Sequence, residues 1–239
     1  MGNKKVLICG ASGDLGYSIA QKLLSSNYEL VLHYFQNEAR IQELKDGFPN
    51  QILQTLKADF RDESSVQQLL EKLSVTPEGV VFANGISYEK LFQDSSLQVM
   101  DDLYKIHLKG PWIVLQSLMP HMIRKQAGNI IFISSVWGEV GASFETIYSS
   151  FKGAQNAFTR ALSKEVGKSN IRVNSIAPGW IETKMNAHLQ DYEKEVAEDS
   201  ISLGRIGSTE EVSNVVKFLI SEESQYIHGQ ILKVDGGWT

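Results

Sequence analysis

Short apolar runs recur along the chain, and most are followed by a segment whose apolar positions repeat every three or four residues. The runs are Val6–Cys9, Leu30–Tyr34, Ile52–Lys57, Val80–Gly85, Asn129–Ser135, Ile171–Ala177 and Gln230–Val234. Rich in Val, Ile and Leu and too short for helices, they read as buried strands. Helical periodicity follows through Ile19, Leu23 and Leu24. It returns over Leu97–Lys125, where Leu103, Ile106, Leu115 and Leu118 share a broadly apolar side, and then over Tyr148 to about Gly167 and Glu210–Ile220. Pro111 lies inside the second of these and would kink it or mark a break. Strands alternating with helices predict an α/β fold of Rossmann type, a doubly wound parallel sheet of about seven strands with helices on both faces. Residues 1–239 read as a single domain, in which the polar, irregular stretch 180–205 beyond a strand's end is placed as a substrate lid.

Composition narrows the function without choosing it. With 239 residues, 42% apolar and 21% charged, the chain is long enough for one sizeable core. A net charge of −5 gives no reason to expect nucleic-acid binding. No apolar run reaches membrane-spanning length. The single cysteine, Cys9, excludes an internal disulfide and suits a reducing compartment, so a cytoplasmic location is expected. No metal site is expected.

Two stretches carry chemistry. The first run leads directly into Gly10-Ala11-Ser12-Gly13-Asp14-Leu15-Gly16 and then a helix. Glycines there permit a tight turn and close approach of a pyrophosphate, which the helix N-terminus attracts. The second run ends in Tyr34-Phe35-Gln36-Asn37, with no carboxylate before Glu38 to grip a ribose 2′-hydroxyl, so NADP(H) is preferred over NAD(H). Arg40 is the nearest cation and could equally be a solvated charge. Asp59 is placed to meet an adenine edge or to cap the helix starting near Asp62. The other chemical stretch is Ile131–Lys152. Ser135 ends a strand, and Tyr148 and Lys152 lie four apart on one helical face. A phenol titrates near ~10, and a neighbouring ammonium lowers it, which suits Tyr148 to general acid/base work. Ser135 could donate a hydrogen bond to a substrate oxygen as charge develops on it.

These pieces, taken in order with Asn174, Pro178-Gly179-Trp180-Ile181-Glu182-Thr183 and Asp235-Gly236-Gly237, resemble the short-chain dehydrogenase/reductase family over essentially the whole chain. The resemblance implies an NAD(P)(H)-dependent oxidoreductase. Tyr148 would be the acid/base, Lys152 would hold the nicotinamide ribose, and Ser135 would orient the carbonyl. The cofactor would run along Gly10, Ser12, Gly13, Asp14, Leu15 and Gly16, past Tyr34, Asp59, Phe60, Asn84 and Gly85, to Tyr148, Lys152, Pro178, Gly179, Ile181 and Thr183. Within the family the chain is most similar to bacterial 3-oxoacyl-[acyl-carrier-protein] reductases, which implies NADPH, an acyl carrier protein partner and a homotetramer.

Three departures stand out against that pattern. Asp14 occupies the place of a middle glycine, Phe82-Ala83-Asn84-Gly85 replaces Asn-Asn-Ala-Gly, and His107 stands where a catalytic asparagine is expected. His107 could join a proton relay, since an imidazole donates and accepts at once, or could be a packed core histidine. The loop Trp137–Glu145 sets Trp137, Glu139 and Glu145 beside the expected pocket, with Met185 in the lid as a further substrate contact. That loop and His107 are similar to reductases of 5-aminopentanone-modified elongation factor P, whose substrate amine a carboxylate could pair with. An acidic carrier protein would prefer a basic rim, for which Arg124, Lys125 and Lys168 are candidates. A chain that keeps the fold but only binds nucleotide or acts as an assembly subunit is an alternative of another class, and an alcohol dehydrogenase working in the oxidative direction with NAD is a third, against which the lack of an acidic residue at the end of the second run counts.

Overall fold

The computed structural model describes residues 4–183 and 191–239. The strands are β1 (Lys5–Cys9), β2 (Glu29–Tyr34), β3 (Ile52–Lys57), β4 (Gly79–Phe82), β5 (Gly128–Ile133), β6 (Ile171–Pro178) and β7 (Ile231–Val234). They pair in parallel, in the order β3-β2-β1-β4-β5-β6-β7. The helices are α1 (Asp14–Leu24), α2 (Glu38–Gly47), α3 (Glu63–Lys72), α4 (Leu97–Tyr104), α5 (Gly110–Lys125), α6 (Trp137–Val140), α7 (Thr146–Val166), α8 (Asp191–Ser200) and α9 (Thr209–Ile220).

Alternation along β1 shows how the sheet divides the core. Val6 and Ile8 pack with Ile19 and Leu23 of α1 and with Val212, Val216 and Leu219 of α9. Leu7 and Cys9 point the other way, to Val66 and Leu69 of α3 and Val114 and Leu118 of α5. Both faces are covered at the centre, which is why β1, β4 and β5 read as near-continuous apolar runs. Phe82 and Phe132 stack at 4.8 Å on adjacent strands, each about 1% exposed, and burial of such a ring contributes roughly 2–3 kcal/mol.

The chain runs outward from β1 to β3, then returns to place β4 on the other side of β1. That reversal opens a crevice beyond the carboxyl ends of β1 and β4, where ligands settle in open α/β sheets. Two elements differ from the sequence reading. The long helix 97–125 is two helices, joined by a π-helical turn at Lys105–Lys109, with Pro111 in the first turn of α5. The stretch 180–205 contains α8, and its residues 184–190, Met185 among them, lie outside the described residues. No helix among the described residues is long and apolar enough to cross a membrane.

Candidate active site

The β1–α1 turn forms one wall of the crevice. Gly10 has φ +85°, and a Cβ there would sit 2.7 Å from the backbone of Asn84. The turn is anchored by a residue the sequence reading passed over. His33, 2% exposed, accepts the amides of Gly10 and Ala11 on its carbonyl at 3.1 and 2.9 Å. Its Nδ1 accepts from Gly10 N–H at 3.2 Å while Nε2 faces the Ala58 carbonyl at 3.1 Å. Burial pushes this imidazole down to about 4, so it stays neutral and bridges β1, β2 and β3. Gly13 caps α1 without a side chain, and Gly13, Asp14 and Leu15 line the cleft with the helix N-terminus behind them.

Several expected cofactor positions serve the frame around that wall. Tyr34, 7% exposed, and Phe60, 5% exposed, are core residues, and the Phe60 ring stacks on His33 at 4.4 Å. Gly16 packs against Gly10 inside the turn, and the Ser12 carbonyl accepts from Arg40. Asp59 does not cap α3; Asp62 does, accepting from Ser64 N–H at 2.9 Å. The Asp59 carboxylate instead takes the Arg61 guanidinium at 2.7 Å.

The opposite wall carries the chemistry. The cleft, about 390 Å³, is lined by Ser135, Tyr148 and Lys152 together with Asn84, Gly85, Pro178, Gly179, Ile181 and Thr183. β5 ends at Ile133, which sets Ser135 just past the strand tip, and α7 begins at Thr146, which turns Tyr148 and Lys152 to the same side. Lys152, 3% exposed, donates to the Ile133 carbonyl at 2.9 Å and stands 5.5 Å from the centroid of the Tyr148 ring. Burial pushes its ammonium down to about 7. Burial and the nearby Glu145 carboxylate push the Tyr148 phenol above its usual range, and a hydrogen bond with Ser135 draws it partly back. At neutral pH the site therefore holds a protonated phenol.

His107 reaches the cleft from the π-helical turn. Its backbone carbonyl accepts from Gln155 Nε2 at 2.7 Å, which ties the turn to α7. The ring is 1% exposed and edge-on to Tyr148, 5.7 Å between centroids. Nε2 lies 3.0 Å from the Ile86 carbonyl, and Nδ1 has no partner among the described residues. Burial and then the Lys152 charge hold it well below the usual imidazole range. Gly85 is needed beside it, since a Cβ there would meet the ring at 2.7 Å.

The mouth is aromatic and acidic. Trp137, Trp180 and Trp238 line it, with Trp238 4.8 Å from Trp137 and 5.8 Å from Trp180. Glu145 lies at the start of α7, its carboxyl pushed up to about 7 by burial and by Glu89, against a restraining hydrogen bond to Trp137. Lys90 N–H donates to the Phe144 carbonyl, which brings Glu89 alongside, and Phe144 adopts φ 65° to allow it. Glu89 and Trp238 were missed; the Gly236-Gly237 turn before Trp238 was the available signal. Glu139 does not line the cleft. It faces Arg160 at 3.4 Å and Lys233 at 3.5 Å, because two positions along α6 turn it away from Trp137. Arg124 and Lys125 end α5 just before β5, and Lys168 sits just before β6. That is the amino edge of the sheet, opposite the cleft, so they form no rim around it.

A family model described as enoyl-(acyl carrier protein) reductase matches residues 10–239. The chain is 37% identical to an uncharacterized oxidoreductase, YmfI, of Bacillus subtilis (strain 168), with 99% of each chain covered. It is 34% identical to the 3-oxoacyl-[acyl-carrier-protein] reductase FabG of Aquifex aeolicus (strain VF5), over 98% of this chain and 96% of that one. Among solved structures, a 3-oxoacyl-[acyl-carrier protein] reductase from Brucella melitensis ATCC 23457 superposes with TM-score 0.91 at 25% identity, covering 99% of this chain and 91% of that one. ElxO with NADP bound superposes with TM-score 0.88 at 25% identity, over 99% and 98%.

Proposed function

Since the chain belongs to the short-chain dehydrogenase/reductase family of oxidoreductases, matched over residues 10–239, we propose that it reduces a ketone with NADPH, Tyr148 acting as proton donor. The observation that carries this reading is the convergence of Ser135, Tyr148 and Lys152 on one cleft beside the glycine turn. The residues present fit a dinucleotide. A Cβ at Gly10 or Gly16 would strike backbone at 2.7 or 2.1 Å, and the N-terminus of α1 offers amides with no capping side chain. NADPH supplies the hydride when bound. The Ser135 hydroxyl polarises the carbonyl oxygen, and Tyr148, kept protonated by burial, gives its proton to that oxygen as charge develops. Lys152, when protonated, stabilises the phenolate left behind. His107, whose Nε2 lies 3.0 Å from the Ile86 carbonyl and whose Nδ1 has no partner among the described residues, extends the path by which the proton is replaced. A homotetramer belongs to the same reading and is supported by the half-exposed aromatic band Tyr104, Trp112 and Phe151 on α4, α5 and α7.

The mouth separates the two substrate readings. Among the described residues, Lys152 is the one lysine or arginine lining the cleft, while Glu89 and Glu145 both do, beside three indoles. Carboxylates and aromatic faces favour an ammonium. That supports a ketone carrying a primary amine, the 5-aminopentanone group of modified elongation factor P. A 3-oxoacyl group on acyl carrier protein is the second reading, favoured by the relatives of that activity. The test follows NADPH oxidation with the amino-ketone protein and with an acetoacetyl thioester, NADH serving as control. Turnover of the amino-ketone is expected, and Glu145→Gln is expected to raise its KM about tenfold. Turnover of the thioester alone sinks the amine reading, and oxidation with neither sinks the reductase reading.

A pH dependence accompanies the amine reading. Glu145 holds a proton below about 7 and a negative charge above it. Only the charged form pairs with an ammonium, so KM for the amino-ketone is expected to fall as pH rises through about 7. Lys152 titrates in the same window and is common to both substrates, so the KM of the amino-ketone relative to that of the thioester is what should fall. A ratio that does not change with pH would remove Glu145 from substrate binding.

A further inference from the structure

Beside the cleft the fold turns apolar side chains outward. The loop after β4 carries Ile86, Leu91 and Phe92, all exposed, Phe92 by 61%. The end of α6 and the segment leading to α7 carry Val140 and Phe144, exposed by more than half. A backbone hydrogen bond from Lys90 N–H to the Phe144 carbonyl, 2.6 Å long, fastens the two segments together. Both border the cleft: Ile86 and Glu89 of the first line it, as do Trp137 and Glu145 of the second. The outward apolar side chains thus flank the mouth, with that bond between them.

The fold holds this surface in place without using it for its own core. The Leu91 carbonyl accepts from Asp94 N–H at 3.0 Å and from the Ser95 hydroxyl at 3.1 Å, and the Phe92 carbonyl accepts from Ser95 N–H at 3.2 Å. These bonds wind Phe92–Asp94 into a short 3-10 turn. Phe144 sits at φ 65°, a left-handed conformation that a bulky residue adopts only where its surroundings impose it. Neither ring belongs to the core on either face of the sheet. Neither lines the cleft, so a small ketone held there leaves both bare. An ordered apolar surface of this kind marks contact with another molecule. Its charge limits which one. Residues 86–96 and 137–146 carry Glu89, Asp94, Glu139 and Glu145 against Lys90 alone. Arg160 and Lys233 occupy Glu139, which leaves three carboxylates and one ammonium.

We infer that Phe92 and Phe144 dock the protein that carries the substrate, a folded partner presenting its ketone side chain on a loop with apolar and cationic residues around it. The inference rests on the amino-ketone reading above and adds to it the place where the carrier binds. Exposed phenylalanines give such a contact its buried area, and the carboxylates steer a basic partner toward the mouth. An acidic carrier would meet Glu89 and Asp94 with like charge.

The test follows NADPH oxidation with 5-aminopentanone-modified elongation factor P and with the same amino-ketone group on a free lysine derivative. The proteins compared are the wild type, the double variant Phe92→Gln/Phe144→Asn, and Asp94→Lys. Asparagine tolerates left-handed backbone, so the double variant should melt no lower than the wild type. It is expected to raise KM for the modified protein about 10- to 30-fold with kcat unchanged. KM for the free group should stay within about twofold. Asp94→Lys should raise KM for the modified protein roughly 3- to 10-fold at low salt and less at high salt. If KM for the free group rises as much as KM for the protein, the loops only shape the cleft and the inference is overturned. It is also overturned if KM for the protein does not move. Dissociation of an oligomer by the double variant, read by analytical ultracentrifugation, would overturn it too and assign the surface to a second copy of the chain. A wild type that reduces neither substrate removes the amino-ketone reading itself, and the inference with it.

Discussion

Tyr148→Phe is expected to lower turnover roughly 100- to 10,000-fold and to leave NADPH affinity nearly unchanged. The ring stays in place, edge-on to His107 at 5.7 Å and above Lys152, so the packing of the cleft survives. What disappears is the acidic proton, an interaction made at the transition state, so kcat and kcat/KM should fall together. Its size follows from the setting. The phenol is held protonated by burial and by Glu145, and water in so enclosed a cleft is a poor substitute donor. NADPH oxidation and nucleotide titration on the same preparation check both halves. Turnover within about tenfold of wild type would take the proton donor away from Tyr148. A chain that merely binds nucleotide or assembles would keep its function in this variant.

Gly16→Ala is expected to be the most damaging single methyl in the chain. In an ordinary helix the change would help by up to ~1 kcal/mol, since alanine is the better helix former. Here the added carbon would lie 2.1 Å from the Gly10 carbonyl oxygen and 2.8 Å from its carbon. Both are backbone atoms of a turn pinned by His33, so no side chain can swing aside. Overpacking against such a neighbour costs about 3 kcal/mol or more, which exceeds the helix gain. Thermal melting should fall by roughly 6–12 °C, at about 2–4 °C per kcal/mol in a chain of this size. NADPH binding should weaken with it, because the turn must open to admit the methyl. Gly47→Ala is the control: nothing lies within 4 Å of its Cβ, and it should be neutral or slightly stabilising. Equal melting temperatures for Gly16→Ala and wild type would refute the close contact.

What was legible in the sequence is what local periodicity or spacing encodes. The central strands β1, β4 and β5 were visible because both sheet faces are buried there, so each reads as a near-continuous apolar run. Tyr148 and Lys152 were visible because a helix puts positions four apart on one face. The glycine turn was visible because only glycine tolerates the contacts at Gly10 and Gly16. The rest depends on what the chain brings together from afar. Glu89 reaches Glu145 through a loop pairing between Lys90 and Phe144, which no spacing announces. Arg40 looked like a solvated charge because Asp14, its partner, lies on another element. Glu139 and Trp137 looked equivalent, yet a short helix rotates them apart and Arg160 and Lys233 capture the carboxylate. The break at Lys105–Lys109 was hidden for a different reason: a π-helical turn carries the same apolar residues as the helices it joins.

That turn also holds a residue that the helices on either side could do without. A π-helical turn holds one residue more than the α-helix around it. Deleting any residue of Lys105–Lys109 would let α4 and α5 fuse into one regular helix. A π-helical turn is wider, and its extra residue is absorbed there, so the helices on either side would keep their register and Leu103 its place in the core. What would change is local: the carbonyl of His107 that receives Gln155 would return to the helix's own hydrogen bonding. The extra residue is therefore a bulge spent on one spot, and its loss would disturb His107 and its tie to α7 while leaving the scaffold around them intact.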